Sequence, residues 1–311
     1  MGGSSASSNA RSAPQFRSAL VTGATGFLGA HLTRRLTDAG VAVTAIVRPT
    51  SDQARVAGLR ECATVHPTSG AYSDLIAGFE AASPDVVFHL AARFASTHAP
   101  GDIAGLIEDN VTFTAHLCEA AVATECLALV AAGTAWQNAG SPSGDSTPAP
   151  NTLYASSKQA ADDVIDYYSR LSGLNAITLK IYDSYGPNDP RRKFLTVLRD
   201  ASANDETIDA TPGDQKLHMV HVDDLIDGFV HAGNQSATGE LRGRASYTLP
   251  SNQAVTLREL AELWMSANNR RVEINWGIRP HRDGEVMAPW DGEPLPGWSP
   301  QVDLKAGLKD C

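Results

Sequence analysis

The sequence predicts an α/β fold built on a doubly wound parallel sheet. An apolar run at residues 19–21 is followed by glycines at three-residue spacing, Gly23, Gly26 and Gly29, and then by a stretch with helical periodicity. Short apolar or β-branched runs alternate with helical stretches as far as residue 182, which is typical of a parallel sheet covered by helices on both faces. We therefore expect a Rossmann-type domain, followed by a smaller C-terminal substrate lobe.

The glycines lie where the first strand turns into the first helix. Gly23 permits a tight turn, Gly26 lets backbone approach a phosphate, and Gly29 lets the helix pack on the strand, while the helix N-terminus offers free N–H groups. Three spaced glycines also occur in ordinary turns, so the rest of the chain must decide between the two interpretations. The predicted dinucleotide contacts here are Gly23, Thr25, Gly26, Phe27, Leu28 and Gly29.

The second strand, at residues 41–47, ends at a basic residue, Arg48. In dinucleotide folds an acidic residue at this position binds the ribose 2′-hydroxyl of NAD, whereas an arginine accommodates the 2′-phosphate of NADP. Arg48, with Thr50 and Ser51 as further donors, favours NADP(H), with NAD(H) as the alternative. A solvated arginine at a strand end is the other interpretation.

The fourth strand ends in small residues, against which a cofactor can lie: Leu90, Ala91 and Ala92. The fifth strand stops at Thr134. Ligands of doubly wound sheets bind beyond the strand carboxyl ends, so these residues are expected to gather there. Strands are predicted at 64–66, 85–92, 127–133, 176–182 and 219–222, and helices at 72–82, 107–121, around 154–158, from 191 and from 223.

The predicted organisation has three parts. Residues 1–16, rich in Ser, Ala and Gly, are expected to form a flexible tail. Residues 17–182 form the dinucleotide-binding domain, completed by 215–235, and residues 183–214 and 236–311 form the substrate lobe.

Composition excludes several classes of function. A net charge of −10 opposes broad binding to nucleic acid or anionic membrane. Four cysteines without C-x-x-C spacing, and no run of about 18 apolar residues, predict a cytoplasmic protein without disulfides or membrane spans. No metal site is predicted, because strand alternation directs His218 and His221 to opposite faces. Serine-hydrolase and P-loop motifs are absent.

Tyr154 and Lys158 lie four residues apart in a predicted helix and therefore share a face. A nearby ammonium favours the phenolate and makes proton exchange by tyrosine feasible. Thr134 supplies a hydroxyl that can hold a carbonyl or alcohol oxygen beside the phenol. Isolated Tyr-x-x-x-Lys pairs are mostly chance surface pairs, but after the glycine turn and Thr134 this one predicts a hydride-transfer site.

Taken in order, these motifs resemble the extended short-chain dehydrogenase/reductase family, also called the NAD-dependent epimerase/dehydratase family, from about Ser18 onwards. Within that family, residues 181–191 and 282–287 look like bacterial nucleotide-deoxysugar 4-ketoreductases, especially those that make abequose- or paratose-type sugars. The segments that carry the family resemblance are residues 22–29, 89–92, Asn110, Thr134, Tyr154 with Lys158, 185–187 and 221–224.

The resemblance implies that Thr134, Tyr154 and Lys158 are catalytic and that Lys158 and Tyr182 also contact the cofactor. It implies a nucleotide-sugar substrate and a homodimer formed through the helices at 110–121 and 154–169. Guanidinium groups suit phosphate oxygens, although a solvated charge run would explain residues 191–193 equally well. The implied substrate contacts are Thr134, Asp183, Arg191, Arg192, Lys193 and Arg282.

Three positions depart from the family pattern. Asp183 stands where many members have Asn, and Lys180 where many have Arg. Pro67-Thr68 follows the third strand, where an acidic residue usually contacts adenine. Substrate and adenine contacts at these positions are expected to differ from those of relatives.

The residues after Thr134 separate the reactions of this family. A 4,6-dehydratase resembling its relatives would carry Asp-Glu there, whereas this chain has Ala135-Trp136. We therefore predict NADPH-dependent reduction of the C4 keto group of a nucleotide-linked 4-keto-6-deoxysugar, with Tyr154 as the proton donor. The alternatives are an NAD-dependent nucleotide-sugar 4-epimerase, which usually has an acidic residue in place of Arg48, and a non-catalytic dinucleotide-sensing protein, which typically lacks the tyrosine or lysine.

Overall fold

The computed structural model describes residues 11–309 and 311. Short 3₁₀ helices lie at Pro100–Asp102 and Ala135–Asn138, and a π-helical turn at Glu108–Thr112. The strands and α-helices, in chain order, are β1 Ser18–Thr22, α1 Phe27–Asp38, β2 Ala42–Val47, α2 Gln53–Arg60, β3 Thr64–Pro67, α3 Tyr72–Ala82, β4 Val86–His89, α4 Ile103–Ile107, α5 Phe113–Ala123, β5 Ala128–Thr134, α6 Leu153–Ser172, β6 Asn175–Ile181, β7 Asp183–Tyr185, α7 Phe194–Asn204, β8 Ile208–Ala210, β9 Lys216–Leu217, β10 Met219–His221, α8 Val222–Thr238, β11 Arg244–Leu249, β12 Val255–Thr256, α9 Leu257–Asn268, β13 Ile274–Trp276 and α10 Leu304–Gly307.

Seven parallel strands form the main sheet, in the order β11-β6-β5-β4-β1-β2-β3. The predicted doubly wound parallel sheet is confirmed. The strand order reverses between β1 and β4, and at such a switch point the connecting loops diverge and leave a crevice beyond the strand carboxyl ends. The turn after β1 and the segment after β4 both open onto this crevice.

Alternate residues of β1 face opposite layers of helices. Val21 packs in a core with Leu32 of α1 and Phe229 of α8, whereas Leu20 packs on the other side with Leu75 of α3 and Leu117 of α5. Because both faces of the sheet are covered, its strands are apolar at consecutive positions rather than at every second one. This explains why the strands stand out in the sequence as short apolar runs.

The predicted helix at 107–121 is interrupted. A π-helical turn at Glu108–Thr112 separates α4 from α5, and Thr114 Oγ1 donates to the carbonyl of Asn110 within it. The π-helical turn begins one residue after the predicted start of the helix, so no apolar repeat precedes it from which the extra residue could be detected. The basic segment at 191–193 also differs from prediction, because it precedes α7, with Lys193 as the N-cap, rather than opening the helix.

The first described residues pack against α8. The backbone N–H of Gln15 donates to Asn234 Oδ1 at 2.7 Å, and the ring of Phe16 lies 5.7 Å from that of Phe88. Residues 11–16 were assigned to the tail from composition alone, which carries no information on these contacts. Residues 1–10 of the predicted tail lie outside the described residues.

The smaller lobe contains α7, α9, α10 and three two-stranded sheets, β7 with β10, β8 with β13, and β9 with β12. Its core includes Leu198, Leu260, Trp264 and Leu308. The predicted division of the sequence differs at two places. β11 lies within residues 236–311 but pairs with β6 in the main sheet, and β9 and β10 lie within residues 215–235 but pair with strands of the smaller lobe. In the described part of the chain, no helix combines the length and apolarity needed to cross a bilayer.

Candidate active site

The turn between β1 and α1 is built from backbone alone. Gly23 has φ +70°, and a Cβ on it would lie 2.7 Å from the backbone N of Ala91. A Cβ on Gly29 would lie 2.1 Å from the carbonyl oxygen of Gly23. Gly26, the N-cap of α1, has no side chain to cap the helix, so the first N–H groups keep their hydrogens for a ligand. These features fit a dinucleotide pyrophosphate.

A buried chain of hydrogen bonds fixes the segment after β4 beside this turn. Ala91 N–H donates to Thr22 Oγ1 at 3.2 Å, and Thr22 Oγ1 lies 2.8 Å from His89 Nδ1. His89 Nε2 lies 2.8 Å from Thr114 Oγ1, which donates to Asn110 O at 2.7 Å. Because Thr114 uses its only hydrogen on that carbonyl, His89 must donate from Nε2 and accept at Nδ1. Burial lowers the pKa of His89 to about 3, so the ring is neutral.

Arg48 and Thr50 are exposed just beyond the carboxyl end of β2. The Arg48 guanidinium lies 3.0 Å from Asp109 Oδ2 in the π-helical turn, and Arg93 Nε lies 2.8 Å from the same oxygen. One carboxylate therefore faces two guanidinium groups. A further guanidinium group, that of Arg55 in α2, lies at the glycine turn, where it donates to the carbonyl of Thr25 at 3.1 Å.

Thr134 ends β5 and caps the 3₁₀ helix that follows. Its hydroxyl oxygen accepts from Trp136 N–H at 3.3 Å, and its own N–H donates to Gln137 Oε1 at 2.9 Å. The backbone contact uses one lone pair of the hydroxyl and leaves its hydrogen for another acceptor. The side chain is thus oriented before any ligand arrives.

Tyr154 and Lys158 lie in the first turns of α6. Thr152 caps this helix by accepting from Ala155 N–H at 3.1 Å. Asn110 Nδ2 donates to Ser157 Oγ at 2.9 Å, and Ser157 in turn donates to the carbonyl of Tyr154 at 2.8 Å. The π-helical turn therefore anchors the part of α6 that carries both predicted catalytic residues.

Burial dominates the acid–base properties of this pair. It raises the pKa of Tyr154 to about 12 and lowers the pKa of Lys158 to about 8, an effect that the nearby Asp162 carboxylate partly opposes. The sequence suggested that the ammonium would favour the phenolate. In the protein alone the phenol is instead a weaker acid than free tyrosine, because removing it from water disfavours the charged form.

A cavity of about 640 Å³ joins the predicted catalytic and substrate residues. Lys158, Arg48 and the glycine turn are not among its lining residues. Tyr182 is in its wall, with its hydroxyl donating to the Trp290 carbonyl at 2.6 Å. The predicted residues that the cavity brings together are Thr134, Tyr154, Tyr182, Asp183, Arg191, Arg192, Lys193 and Arg282.

Arg191 lies close to the glycine turn. Its guanidinium is 4.4 Å from the centroid of the Phe27 ring, pairs with Asp189 at 2.6 Å, and donates to the hydroxyl of Ser184 at 3.0 Å. These contacts connect the loop after β7 to the start of α1. Arg191 therefore stands between the glycine turn and the cavity, with its charge already paired.

The other predicted substrate cations differ in their pairing. Lys193 Nζ lies 3.5 Å from Asp183 Oδ1, and Arg282 makes two hydrogen bonds of 2.9 Å to Glu285. This pairing lowers the pKa of Glu285. Within residues 11–309 and 311, Arg192 has no ion pair.

Sequence reasoning missed several residues of this site. Arg199 also lines the cavity, and its place as a further basic residue in the helix predicted from 191 was a signal that could have found it. Phe94 and Trp136 line the cavity beside Tyr154, and the place of Trp136 two residues after Thr134 was a signal too. Asp109 had none, because its partners come from distant parts of the chain.

Comparisons with known proteins agree with this fold. The profile of the NAD dependent epimerase/dehydratase family matches residues 19–244. A CDP-abequose synthase of Yersinia pseudotuberculosis is 26% identical over 270 residues, covering 87% of this chain and 90% of the relative. A UDP-glucose 4-epimerase of Mycolicibacterium smegmatis is 26% identical over 308 residues, covering 93% and 95%. The structure of UDP-glucuronic acid 4-epimerase from Bacillus cereus, in complex with UDP-glucuronic acid and NAD, matches with a TM-score of 0.80 at 21% identity, covering 93% and 96%.

Proposed function

The chain belongs to the NAD dependent epimerase/dehydratase family and is an NAD(P)-dependent enzyme of the short-chain dehydrogenase/reductase type, and from that premise we propose the reaction that it catalyses. It reduces the C4 keto group of a nucleotide-linked 4-keto-6-deoxysugar with NADPH. The Yersinia relative is named for the synthesis of CDP-abequose, a nucleotide-linked deoxysugar.

One observation carries the proposal. The cavity that contains the hydroxyls of Thr134 and Tyr154 also contains Arg192 and Arg199, whose charges suit a diphosphate. A nucleotide sugar carries both a reactive sugar and two phosphate charges, so a single cavity that offers hydroxyls and guanidinium groups suits it. Lys193 and Arg282 also line the cavity and can donate to the diphosphate. When phosphate takes the place of their carboxylate partners, those carboxylates can accept from sugar hydroxyls. The partners are Asp183 and Glu285.

The bound cofactor would supply hydride to the carbonyl carbon. The N–H groups at the start of α1 would hold its pyrophosphate, and Lys158 would bind the hydroxyls of the nicotinamide ribose. Thr134 donates its free hydrogen to the carbonyl oxygen, since Trp136 N–H already occupies one of its lone pairs. Tyr154 gives its proton to that oxygen. A pKa of about 12 keeps the phenol protonated at neutral pH, as a proton donor must be.

NADPH rather than NADH is supported by the arginine at the end of β2. Arg48 is half exposed there, and with Arg55 on α2 it gives this edge of the crevice an excess of positive charge over Asp109. A 2′-phosphate would gain two guanidinium neighbours. The ribose of NAD would lack the carboxylate that usually accepts from its 2′-hydroxyl.

A second candidate is an NAD-dependent nucleotide-sugar 4-epimerase. The pairing of Arg48 with Asp109 favours it, because a paired arginine is less available to a 2′-phosphate. The Mycolicibacterium relative bears the name of such an epimerase. A dehydratase is less well supported, since Ala135 and Trp136 follow Thr134, and a non-catalytic sensor is disfavoured by the presence of Thr134, Tyr154 and Lys158 together.

We further propose that the protein is a homodimer joined through α5 and α6. Tyr167 and Leu171 on α6 are large apolar side chains with 51% and 70% exposure. A contact between these helices in two copies would cover them. Light scattering of the purified chain tests this, since a Leu171→Glu variant should become monomeric and a monomeric wild type would overturn it.

The test of the reaction uses the purified full chain with NADPH or NADH and a panel of nucleotide 4-keto-6-deoxysugars. Loss of reduced nicotinamide, with a new C4 alcohol in the product, is the expected result. Tyr154→Phe should slow it by a factor of about 10²–10⁴, whereas Tyr167→Phe on the exposed face of the same helix should not. No turnover with any member of the panel, or equal rates for wild type and Tyr154→Phe, would overturn the proposal. Interconversion of C4 epimers of a saturated nucleotide sugar, without net use of cofactor, would favour the second candidate.

A further inference from the structure

We propose that Phe94 and Trp136 are specificity-determining residues, which make the site select a sugar with a methyl group, rather than a hydroxymethyl or a carboxylate, on the ring carbon beside the reacting carbonyl. The inference rests on the proposed function and deepens it. It concerns which C6 group the site accepts, and it assigns that choice to two side chains.

The two residues form an aromatic wall with Tyr154. The Phe94 ring lies 5.0 Å from the Tyr154 ring at an interplanar angle of 72°, and the Trp136 ring lies 6.4 Å from it at 79°. Phe94 and Trp136 are 5.8 Å apart. All three line the cavity together with Thr134. The aromatic wall is thus in contact with the phenol that faces the reacting oxygen.

Phe94 keeps much of its ring open to the cavity. It is 63% exposed and is among the residues that line the cavity. A ligand in the cavity would therefore meet this apolar surface. Trp136 is held in place by its backbone, since its N–H donates to Thr134 Oγ1. This contact fixes the backbone of Trp136 beside Thr134, one of the predicted oxygen-binding residues.

Sugar chemistry identifies what such a wall can cover. When Thr134 and Tyr154 hold a C4 oxygen, the groups next to it are C3 and C5, and C5 carries C6. Ring hydroxyls need hydrogen-bond partners, which the ring carbons of phenylalanine do not offer. A C6 methyl can be buried against these rings without losing hydrogen bonds. A C6 carboxylate would lose its water and gain no partner from the ring carbons.

The expected discrimination follows from the same chemistry. Apolar pockets reject an added hydroxyl by a factor of roughly 10–100, because they leave it without a partner. Rejection of a carboxylate should be stronger, since a charge is costlier to remove from water than a hydroxyl. The cations of the cavity do not offset this if they hold the diphosphate.

The experiment compares three ligands that differ only at C6: a nucleotide 6-deoxyhexose, the matching hexose and the matching hexuronate. Binding to the full chain with NADP⁺ is measured by calorimetry, and oxidation at C4 by formation of reduced nicotinamide. We expect the 6-deoxy ligand to bind at least about tenfold more tightly than the hexose, and the hexuronate to bind most weakly. Phe94→Ser should bring the first ratio close to one, and Phe94→Leu should preserve it. Ile278→Ser, at a position equally exposed (64%) but outside the cavity lining, is the matched control and should leave the ratio unchanged.

The outcomes separate this inference from the reaction on which it rests. Equal affinity for the three ligands in the wild type, or an unchanged ratio in Phe94→Ser, would overturn the role of the aromatic wall and leave the C4 reduction standing. Failure of every nucleotide sugar to bind or react would overturn both.

Discussion

Arg48 and Asp109 form an ion pair of 3.0 Å across the crevice at the carboxyl edge of the sheet. Arg48 follows β2, and Asp109 lies in the π-helical turn before α5, where it also holds Arg93 at 2.8 Å. The side chain of Asp109 is only 20% exposed, so water screens it less than a surface carboxylate. Its charge therefore bears directly on any anion that approaches Arg48.

Asp109→Asn should tighten the binding of NADPH relative to NADH. The substitution removes a negative charge that competes with the 2′-phosphate for Arg48, so a roughly 3–10-fold decrease in the Kd of NADPH is expected, with little change for NADH. Fluorescence titration of both reduced cofactors measures it. Asp166→Asn, which breaks the exposed pair with Arg170, is the control. Equal changes for the two cofactors would argue against a 2′-phosphate at Arg48.

Replacing the two hydroxyls of the cavity should reduce turnover to different extents. Tyr154→Phe removes the proton donor and should lower kcat by a factor of about 10²–10⁴. Thr134→Val loses one hydrogen bond to the reacting oxygen and should lower kcat by about 10²–10³, while Thr134→Ser keeps the hydroxyl and most of the activity. Steady-state kinetics with NADPH measures both. If Thr134→Val and wild type had the same kcat, Thr134 would have no part in holding the oxygen.

Lys158→Met should stabilise the cofactor-free protein while it abolishes activity. The folded protein lowers the pKa of Lys158 from 10.5 to about 8, so the charged form opposes folding. At pH 7 Lys158 is protonated in both the folded and the unfolded state, so burial of its charge lowers the free energy of unfolding by up to about 3 kcal/mol. Between pH 8 and 10.5 the native state releases its proton first, so the wild type regains stability as the pH rises and the advantage of the variant shrinks.

Urea unfolding at pH 7 and pH 9.5 tests the Lys158 prediction. Lys305→Met is the control, because Lys305 is exposed and its ammonium keeps its water, so the substitution should change the stability little. A Lys158→Met variant less stable than wild type at pH 7 would show that the ammonium makes favourable contacts in the free protein.

Gly29→Ala should weaken dinucleotide binding, and Gly58→Ala should not. A Cβ at residue 29 would stand 2.1 Å from the carbonyl oxygen of Gly23, so the turn must shift. At residue 58, inside α2, a Cβ meets nothing within 4 Å and should stabilise the helix by about 0.5–1 kcal/mol. Cofactor titration and thermal unfolding of both variants measure the two effects. Unaltered cofactor affinity in Gly29→Ala would contradict the role of the turn.

The sequence was most informative where a function depends on local spacing. The glycine turn, the strand ending at Thr134, and the i,i+4 pair of Tyr154 and Lys158 each lie within a few residues, so periodicity and turn chemistry predicted their elements correctly. The parallel, doubly wound sheet followed from the alternation of strands and helices, because parallel connections on this scale allow few topologies.

The contacts that the sequence did not reveal join distant segments. Asp109 meets Arg48, Arg191 meets Phe27, and Phe94 meets Trp136 only after the sheet has assembled. Charge pairing within the lobe was also unforeseen: the sequence presents residues 191–193 as three free cations, whereas two of them lie beside the carboxylates of Asp189 and Asp183. A local sequence pattern indicates the element in which a residue lies, but not which distant residue it contacts in the fold.

The hydrogen-bonded chain through His89 has a consequence for the supply of protons. It begins at the amide of Ala91 and ends at the carbonyl of Asn110, and neither backbone group can take up or release a proton at neutral pH. Each hydrogen bond along it has a fixed donor and acceptor, and the imidazole of His89, with a pKa of about 3, stays in a single tautomer. This hydrogen-bonded chain therefore does not relay protons. Tyr154, once it has given up its proton, must therefore be reprotonated from the solvent side, through the mouth of the substrate cavity or along the cofactor. The core of the sheet offers no such route.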